Sequence, residues 1–294
     1  MDIDVAIRAN AVCGESPTWI AAEQCLYWID VKAPALHRSD LATGRTRTWR
    51  MPTDIGAFAF APARSGAIVA LRNGIYLLEF SSGCLRRIAK APFDSSRFRF
   101  NEGICDSLGR LWLGVMFEPV AGNIDSEPAQ IYNFTLDGGL VPLAPQYQVP
   151  NGMAFSADEQ FYYASDSSSG EIHRYLFDTT SGLIGEPAHF ATVPSDMGVP
   201  DGAAVDIDGG YWVALHGAGR LRRFASDGRV DFDVPLPVTK PTMCVFGGPD
   251  MGTLYVTTAT QRMSPGQLSA EPLAGSVLRC RPGTRGILRN HIVR

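Results

Sequence analysis

Lysine is nearly missing from this chain: of 26 basic residues only Lys32, Lys90 and Lys240 are lysines, and the rest are arginine. A GC-rich genome produces this bias without any functional cause. The formal net charge of −4 argues against a nucleic-acid or anionic-membrane partner, because both are held by a basic face. Long apolar runs are also absent. No stretch approaches the ~20 apolar residues of a membrane span. The opening MDIDVAIRAN carries acids where a secretory signal would carry an apolar core. A cytoplasmic location is therefore expected. No C-x-x-C pair occurs among Cys13, Cys25, Cys84, Cys105, Cys244 and Cys280. Each lies in or beside an apolar run, the pattern of free, buried thiols in a reducing compartment. There is no G-x-S-x-G elbow, no H-x-x-x-H pair and no G-x-x-x-x-G-K-[ST] loop. Their absence leaves no support for an α/β-hydrolase serine, a helical zinc pair or an NTPase.

Helical periodicity is scarce as well, and what takes its place is informative. Apolar residues make up 45% and charged residues 19% of 294, with 30 glycines and 20 prolines. A large core is within reach, and wholesale disorder is excluded. Short aromatic or alternating runs such as CLYWID, GAIVAL, RLWLGVM, FYYASD, YWVALH and TLYVTT are bounded by Gly, Asp, Asn, Ser or Pro. That is the mark of strands joined by tight turns. Six similar segments centred near Trp28, Ile68, Trp112, Tyr163, Trp212 and Tyr255 recur at about 40–50 residues, the length of a four-stranded propeller blade. A Rossmann or barrel fold would need intervening helices, and a β-sandwich would not keep so long a period. The expectation is an all-β, six-bladed β-propeller of four-stranded antiparallel blades, with residues 1–294 forming a single domain. A propeller must close its ring or leave an exposed edge. Residues 2–8 alternate and are expected to supply the outer strand of the last blade, near 276–280.

One polar position recurs just before each aromatic strand. The sequence reads Glu15-Ser-Pro-Thr-Trp, Gly56-Ala-Phe-Ala-Phe, Asn101-Glu-Gly-Ile-Cys, Asn151-Gly-Met-Ala-Phe, Asp201-Gly-Ala-Ala-Val and Thr242-Met-Cys-Val-Phe. Equivalent positions of equivalent blades point to the same face. Glu15, Asn101, Asn151, Asp201 and Thr242 should therefore converge on one axial pocket. Carboxylates gathered on an axis are costly unless paired or metal-bound. An all-oxygen set suits Ca²⁺, Mg²⁺ or Mn²⁺, and Zn²⁺ less well without His or Cys. Asn-Gly and Asp-Gly are also ordinary turn pairs, and only the recurrence separates the two readings. Asp206 and Asp208 read as solvated turn residues. His216, after the strand YWVAL, reads as a core or surface histidine.

The segments GESPTW at 14–19, RFNEG at 99–103, PNGMAFS at 150–156, PDGAAVD at 200–206 and KPTMCVFGG at 240–248 together resemble the senescence-marker-protein/gluconolactonase family, which includes regucalcin and bacterial sugar lactonases. The resemblance spans nearly the whole chain. It implies one divalent metal ion held by Glu15, Asn151 and Asp201, and substrate contacts from Arg99 and Asn101. Glu118 falls near a further substrate-contact position. The family more often has Asp where this chain has Glu102. Residues 119–130 correspond to a loop over the channel mouth. The implied activity is metal-dependent hydrolysis of a sugar-acid lactone such as gluconolactone or a pentonolactone, with Asp201 also accepting the proton of the attacking water. Two alternatives stand beside it: another metal-dependent esterase or phosphotriesterase, and a non-enzymatic calcium-binding propeller. The expected partner is a small-molecule sugar lactone, and the pattern carries no signal of an oligomeric state.

Overall fold

The computed structural model describes residues 1–121, 125–288, 290 and 291. Its strands form six antiparallel sheets arranged as the blades of a ring. Blade 1 runs Gly14–Ile20, Cys25–Asp30, Ala35–Asp40, Arg45–Arg50, from the axis outward. Blade 2 runs Ile55–Ala61, Gly66–Leu71, Gly74–Glu79, Leu85–Lys90. Blade 3 runs Phe98–Cys105, Leu111–Phe117, Ala129–Thr135, Gly139–Tyr147. Blade 4 begins Pro150–Phe155, Phe161–Asp166, Glu171–Asp178. Its outer edge is split into Leu183–Ile184 and Ala188–Thr192, both paired with the third strand. Blade 5 runs Val199–Val205, Tyr211–His216, Arg220–Phe224, Val230–Pro235. Blade 6 takes Pro241–Gly247, Thr253–Thr258 and Val277–Cys280 from the end of the chain, and Asp4–Ile7 from its beginning. The closing register is Asp4↔Arg279, Val5↔Leu278 and Ile7↔Val277, so the expected closure by the N-terminal strand is present.

Each blade is too thin to bury its own faces, so the core lies between blades. Six apolar clusters among the described residues correspond to the six interfaces between neighbouring blades. Second strands supply the largest buried side chains, Trp112 and Trp212, where burial of a large apolar residue is worth about 1.5–3 kcal/mol. The innermost strands carry small residues such as Ala57, Ala154 and Ala203, because six sheets crowd toward the axis there. A helix of six residues, Pro265–Ala270, interrupts blade 6. It starts in a capping box made by Ser264 and Gln267. No helix among the described residues is long and apolar enough to cross a membrane.

Two expectations need correcting. The thiols are free, but only Cys25, Cys105, Cys244 and Cys280 are buried; Cys13 is half-buried and Cys84 is exposed. Cys84 sits between two outer strands of blade 2, where the adjoining apolar run belongs to the strand and not to the turn. Asp206 is not a solvated turn residue, being fully buried. Its carboxylate accepts from Trp212 Nε1 at 2.7 Å, from Arg223 Nε at 2.8 Å and from the backbone of Gly210 at 2.8 Å. Asp106 holds Trp112 Nε1 at 3.0 Å in the same way two blades earlier.

Candidate functional site

All six innermost strands break register at the same place. The shifts fall between Glu15 and Thr18, Ile55 and Ala57, Phe100 and Gly103, Asn151 and Ala154, Pro200 and Ala203, and Pro241 and Met243. A bulge bends the strand and re-aims the bulged side chain, and the recurring polar residues sit on or beside these bulges. Two of them show the backbone cost directly. Ser16 after Glu15 has φ +48°, and Gly152 after Asn151 has φ +61°. A Cβ on Gly152 would lie 2.3 Å from the Tyr211 hydroxyl, which donates to the Gly152 carbonyl at 2.7 Å. Blade 2 contributes Gly56 instead of a polar group, because a Cβ there would lie 2.1 Å from the Phe100 carbonyl oxygen.

Hydrogen bonds tie the axial residues across blades. Arg99 Nη1 donates to Asn101 Oδ1 at 2.9 Å, Asn101 Nδ2 to Asn151 Oδ1 at 2.9 Å, and Asn151 Nδ2 to Ser167 Oγ at 2.8 Å. Ser167 passes the chain to the Pro200 carbonyl at 2.6 Å, beside Asp201. Thr242 Oγ1 donates to the Gly14 carbonyl at 2.5 Å, beside Glu15. Blades 3, 4 and 5, and blades 6 and 1, are thus joined at the level of the expected pocket.

Glu15 and Asp201 are close enough to repel one another. Burial, then Asp201 and then Glu102 push the Glu15 carboxyl well above the ordinary range. Burial likewise raises Asp201 to about 8, against the opposing pull of Arg99 and of the Gly202 N–H. Glu102 is 3% exposed, accepts from the Met153 backbone at 3.2 Å and acts on Glu15, so it is a third acid of the axial cluster. Among the described residues no three His, Cys, Asp or Glu side chains are gathered to hold a metal ion. The expected set differs in composition, since its third member is the amide of Asn151. Two mutually repelling carboxylates and an amide oxygen make a donor set that fits a hard divalent cation.

Sequence reasoning singled out Glu118 but missed Lys32, Asp54 and Arg72 around it. Glu118 accepts from Arg99 Nε at 2.8 Å, from Arg72 Nη2 at 2.9 Å and from Lys32 Nζ. Asp54 is shared by Lys32 at 3.0 Å and Arg72 at 2.9 Å. Burial alone would raise the Glu118 carboxyl, but Arg99 and Lys32 more than offset it and hold it down at about 2. Glu118 is thus bonded directly to Arg99 and, through Lys32 and Arg72, linked to Asp54. A signal for this network existed: Arg72, Glu118 and Ser167 each directly follow a second strand. Of the expected mouth loop at 119–130, residues 122–124 lie outside the described residues, and 129 and 130 belong to a strand.

A six-bladed propeller with a polar axial cluster at the end where its inner strands begin is the class of protein that these features define. The chain belongs to the SMP-30/gluconolactonase/LRE-like family, whose model matches residues 13–260. It is 36% identical over 285 residues to the 6-deoxy-6-sulfogluconolactonase of Pseudomonas putida, covering 95% of this chain and 94% of that protein. It is 30% identical over 260 residues to a pentonolactonase of Haloferax volcanii, covering 88% and 86%. Among solved structures it is similar to a regucalcin of Agrobacterium tumefaciens, described as a calcium-binding protein. The TM-score is 0.91 and the identity 26%, over 99% of this chain and 97% of the other.

Proposed function

We propose that this protein is a metal-dependent lactonase that opens sugar-acid lactones such as gluconolactone or a pentonolactone. The observation that carries the reading is the convergence of Glu15 and Asp201, with Asn151, beside an Arg99–Asn101 pair bonded to that same asparagine. Two relatives named for a sulfonated hexonolactone and for pentonolactones support it. Glu15, Asn151 and Asp201 would hold one divalent cation through oxygen, with Ca²⁺, Mg²⁺ or Mn²⁺ matching the donors better than Zn²⁺. Such a cation, when bound, polarises an ester carbonyl and lowers the pKa of a bound water.

The protein's own part follows from its donors and acceptors. Arg99 commits Nε to Glu118, and Nη1 to Asn101 and to the Phe100 carbonyl at 3.0 Å. No hydrogen bond engages its Nη2 among the described residues, and that edge would meet a ring or hydroxyl oxygen of the lactone. Asn101 is held by its neighbours on both sides, so it presents a fixed polar edge to the substrate. The Asp201 carboxylate, in the ionised form that a bound cation would favour against its burial, takes the proton of the attacking water as the water oxygen bonds to the acyl carbon; the acyl–oxygen ring bond then breaks and Asp201 returns that proton to the ring oxygen, which leaves as a hydroxyl. The test is acid release from a panel of aldonolactones and one organophosphate triester, with spontaneous opening subtracted. Lactone turnover that is lost on chelation, restored by metal add-back and abolished by Asp201→Ala is the expected result. Full lactone turnover in the chelated protein overturns metal dependence, and turnover of the triester alone overturns the substrate class.

A further inference from the structure

The two sides of the channel mouth are not electrically alike. On the side of blades 1 to 3 the cations Lys32, Arg72 and Arg99 are matched by Asp54 and Glu118. On the side of blades 5 and 6, Lys240, Arg262 and His216 are brought together by backbone contacts instead. Gly217, next to His216, donates to the Thr239 carbonyl at 2.9 Å, and Ala259 donates to the Lys240 carbonyl at 3.0 Å. Lys240 Nζ then donates to the Gln261 carbonyl at 2.6 Å, which sets its ammonium beside Arg262. Arg262 is held at φ +58°, an uncommon and costly conformation for a long side chain. Lys240 and Arg262 form no ion pair among the described residues. Glu271, beyond Arg262 on the same segment, accepts from the Thr239 N–H at 2.7 Å and from its hydroxyl at 3.1 Å. Burial, then Lys240 and then Arg262 hold His216 down at about 4, so at neutral pH its ring is uncharged and offers one donor.

The placement relative to the axis matters as much as the charge. Lys240 stands two residues before Thr242, and His216 pairs with Val199, two residues before Asp201. At about 3.3 Å per residue both lie roughly 7 Å from the axial level, toward the mouth. A group on the far end of a lactone whose carbonyl sat at Asp201 would project toward the level of the lysine. We propose that Lys240, Arg262 and His216 form a subsite for an oxyanion carried on the end of the lactone remote from its ring carbonyl: a sulfonate, a phosphate or a carboxylate. The inference rests on the lactonase reading and deepens it by naming the substrate class, anionic rather than neutral lactones.

The experiment compares kcat/KM for 6-sulfo-, 6-phospho- and 6-carboxy-substituted hexonolactones with that for neutral glucono-1,5-lactone, in wild type and in Lys240→Met/Arg262→Gln. The expected wild-type preference for at least one anionic lactone is tenfold or more, the scale of a charge-assisted hydrogen bond. The double variant should cut that ratio about tenfold, through KM, and Lys240→Arg should restore most of it. The three anionic lactones separate the possible sources of the oxyanion. A wild-type ratio near one, or a ratio within twofold of wild type in the variant, overturns the subsite. A second measurement does not need turnover: calorimetric titration with inorganic sulfate, which should bind wild type and lose affinity at least tenfold in the variant. If no lactone is opened but sulfate binding depends on Lys240 and Arg262, the lactonase reading fails and the anion site stands. If neither lactone turnover nor sulfate binding is found, both fail.

Discussion

Replacing Glu118 by glutamine keeps the shape of the side chain and removes one negative charge from among Lys32, Arg72 and Arg99. The cost can be worked from the structure. The folded protein holds this carboxyl at about 2, against about 4.3 for a free glutamate. At about 1.4 kcal/mol per unit, and with some screening because the side chain is 23% exposed, the charge contributes roughly 2–3 kcal/mol at neutral pH. The sign follows from the direction of the shift. A carboxyl depressed on folding stabilises above its unfolded pKa and loses that contribution as pH falls through its folded pKa. Wild type should therefore exceed Glu118→Gln by about 2–3 kcal/mol at pH 7, or roughly 4 °C in Tm for a chain of this length. The gap should shrink by about 1.4 kcal/mol per pH unit below pH 4.3, to under about 1 kcal/mol at pH 3. Urea unfolding followed by circular dichroism at pH 7, 5, 4 and 3 measures it. A gap below about 0.5 kcal/mol at pH 7, or one as wide at pH 3 as at pH 7, refutes the account of Glu118 as the anchor of the network.

Three further outcomes are expected. Deleting residues 1–8 removes the outer strand of blade 6 and exposes a strand edge, so the truncated chain should self-associate at concentrations where the full chain does not, as read by light scattering. Asp206→Ala leaves the Arg223 guanidinium and the Trp212 indole without their shared buried acceptor; unfolding stability should drop by about 3–5 kcal/mol, and a loss under 1 kcal/mol would refute the role assigned to Asp206. Cys84 is the exposed thiol, and Cys13 is half-buried with its pKa raised by burial and then by Glu15. Native protein should thus give one fast equivalent with a disulfide reagent, and Cys84→Ser should abolish it.

What was legible in the sequence was whatever repeats. Blade number followed from the spacing of aromatic second strands, and the axial residues followed from one polar position recurring before them. Ring closure was legible because an alternating N-terminal segment had no partner in the first blade. The Lys32–Asp54–Arg72–Glu118 network was not, because its members come from three different blades and meet only after the ring forms. Asp206 is not legible from its own segment, because an acid in a D-x-D-G turn looks solvated until the tryptophan six residues on is seen to fold over it. Asp106 and Trp112 repeat that arrangement at the same spacing, and comparing the two blades would have exposed it. The thiol environments were misjudged at Cys84 because neighbouring apolar residues say nothing of a turn's own exposure.

The strand that closes the ring also constrains how the protein comes into being. Residues Asp4–Ile7 are made before every other strand of the propeller, yet their partners Val277–Cys280 are made after all the others. At roughly 5–20 residues per second the segment waits on the order of tens of seconds with no place to dock. Blades 1 to 5 can condense pairwise as they emerge, each covering the face of the one before it. The sixth cannot form until residues 277–280 have been made, so until then the growing chain carries an open ring with two bare blade faces. Chaperones that shield apolar surface would be needed for that interval and not after it, and a pause in translation before residue 277 would lengthen the exposure without altering the native protein at all.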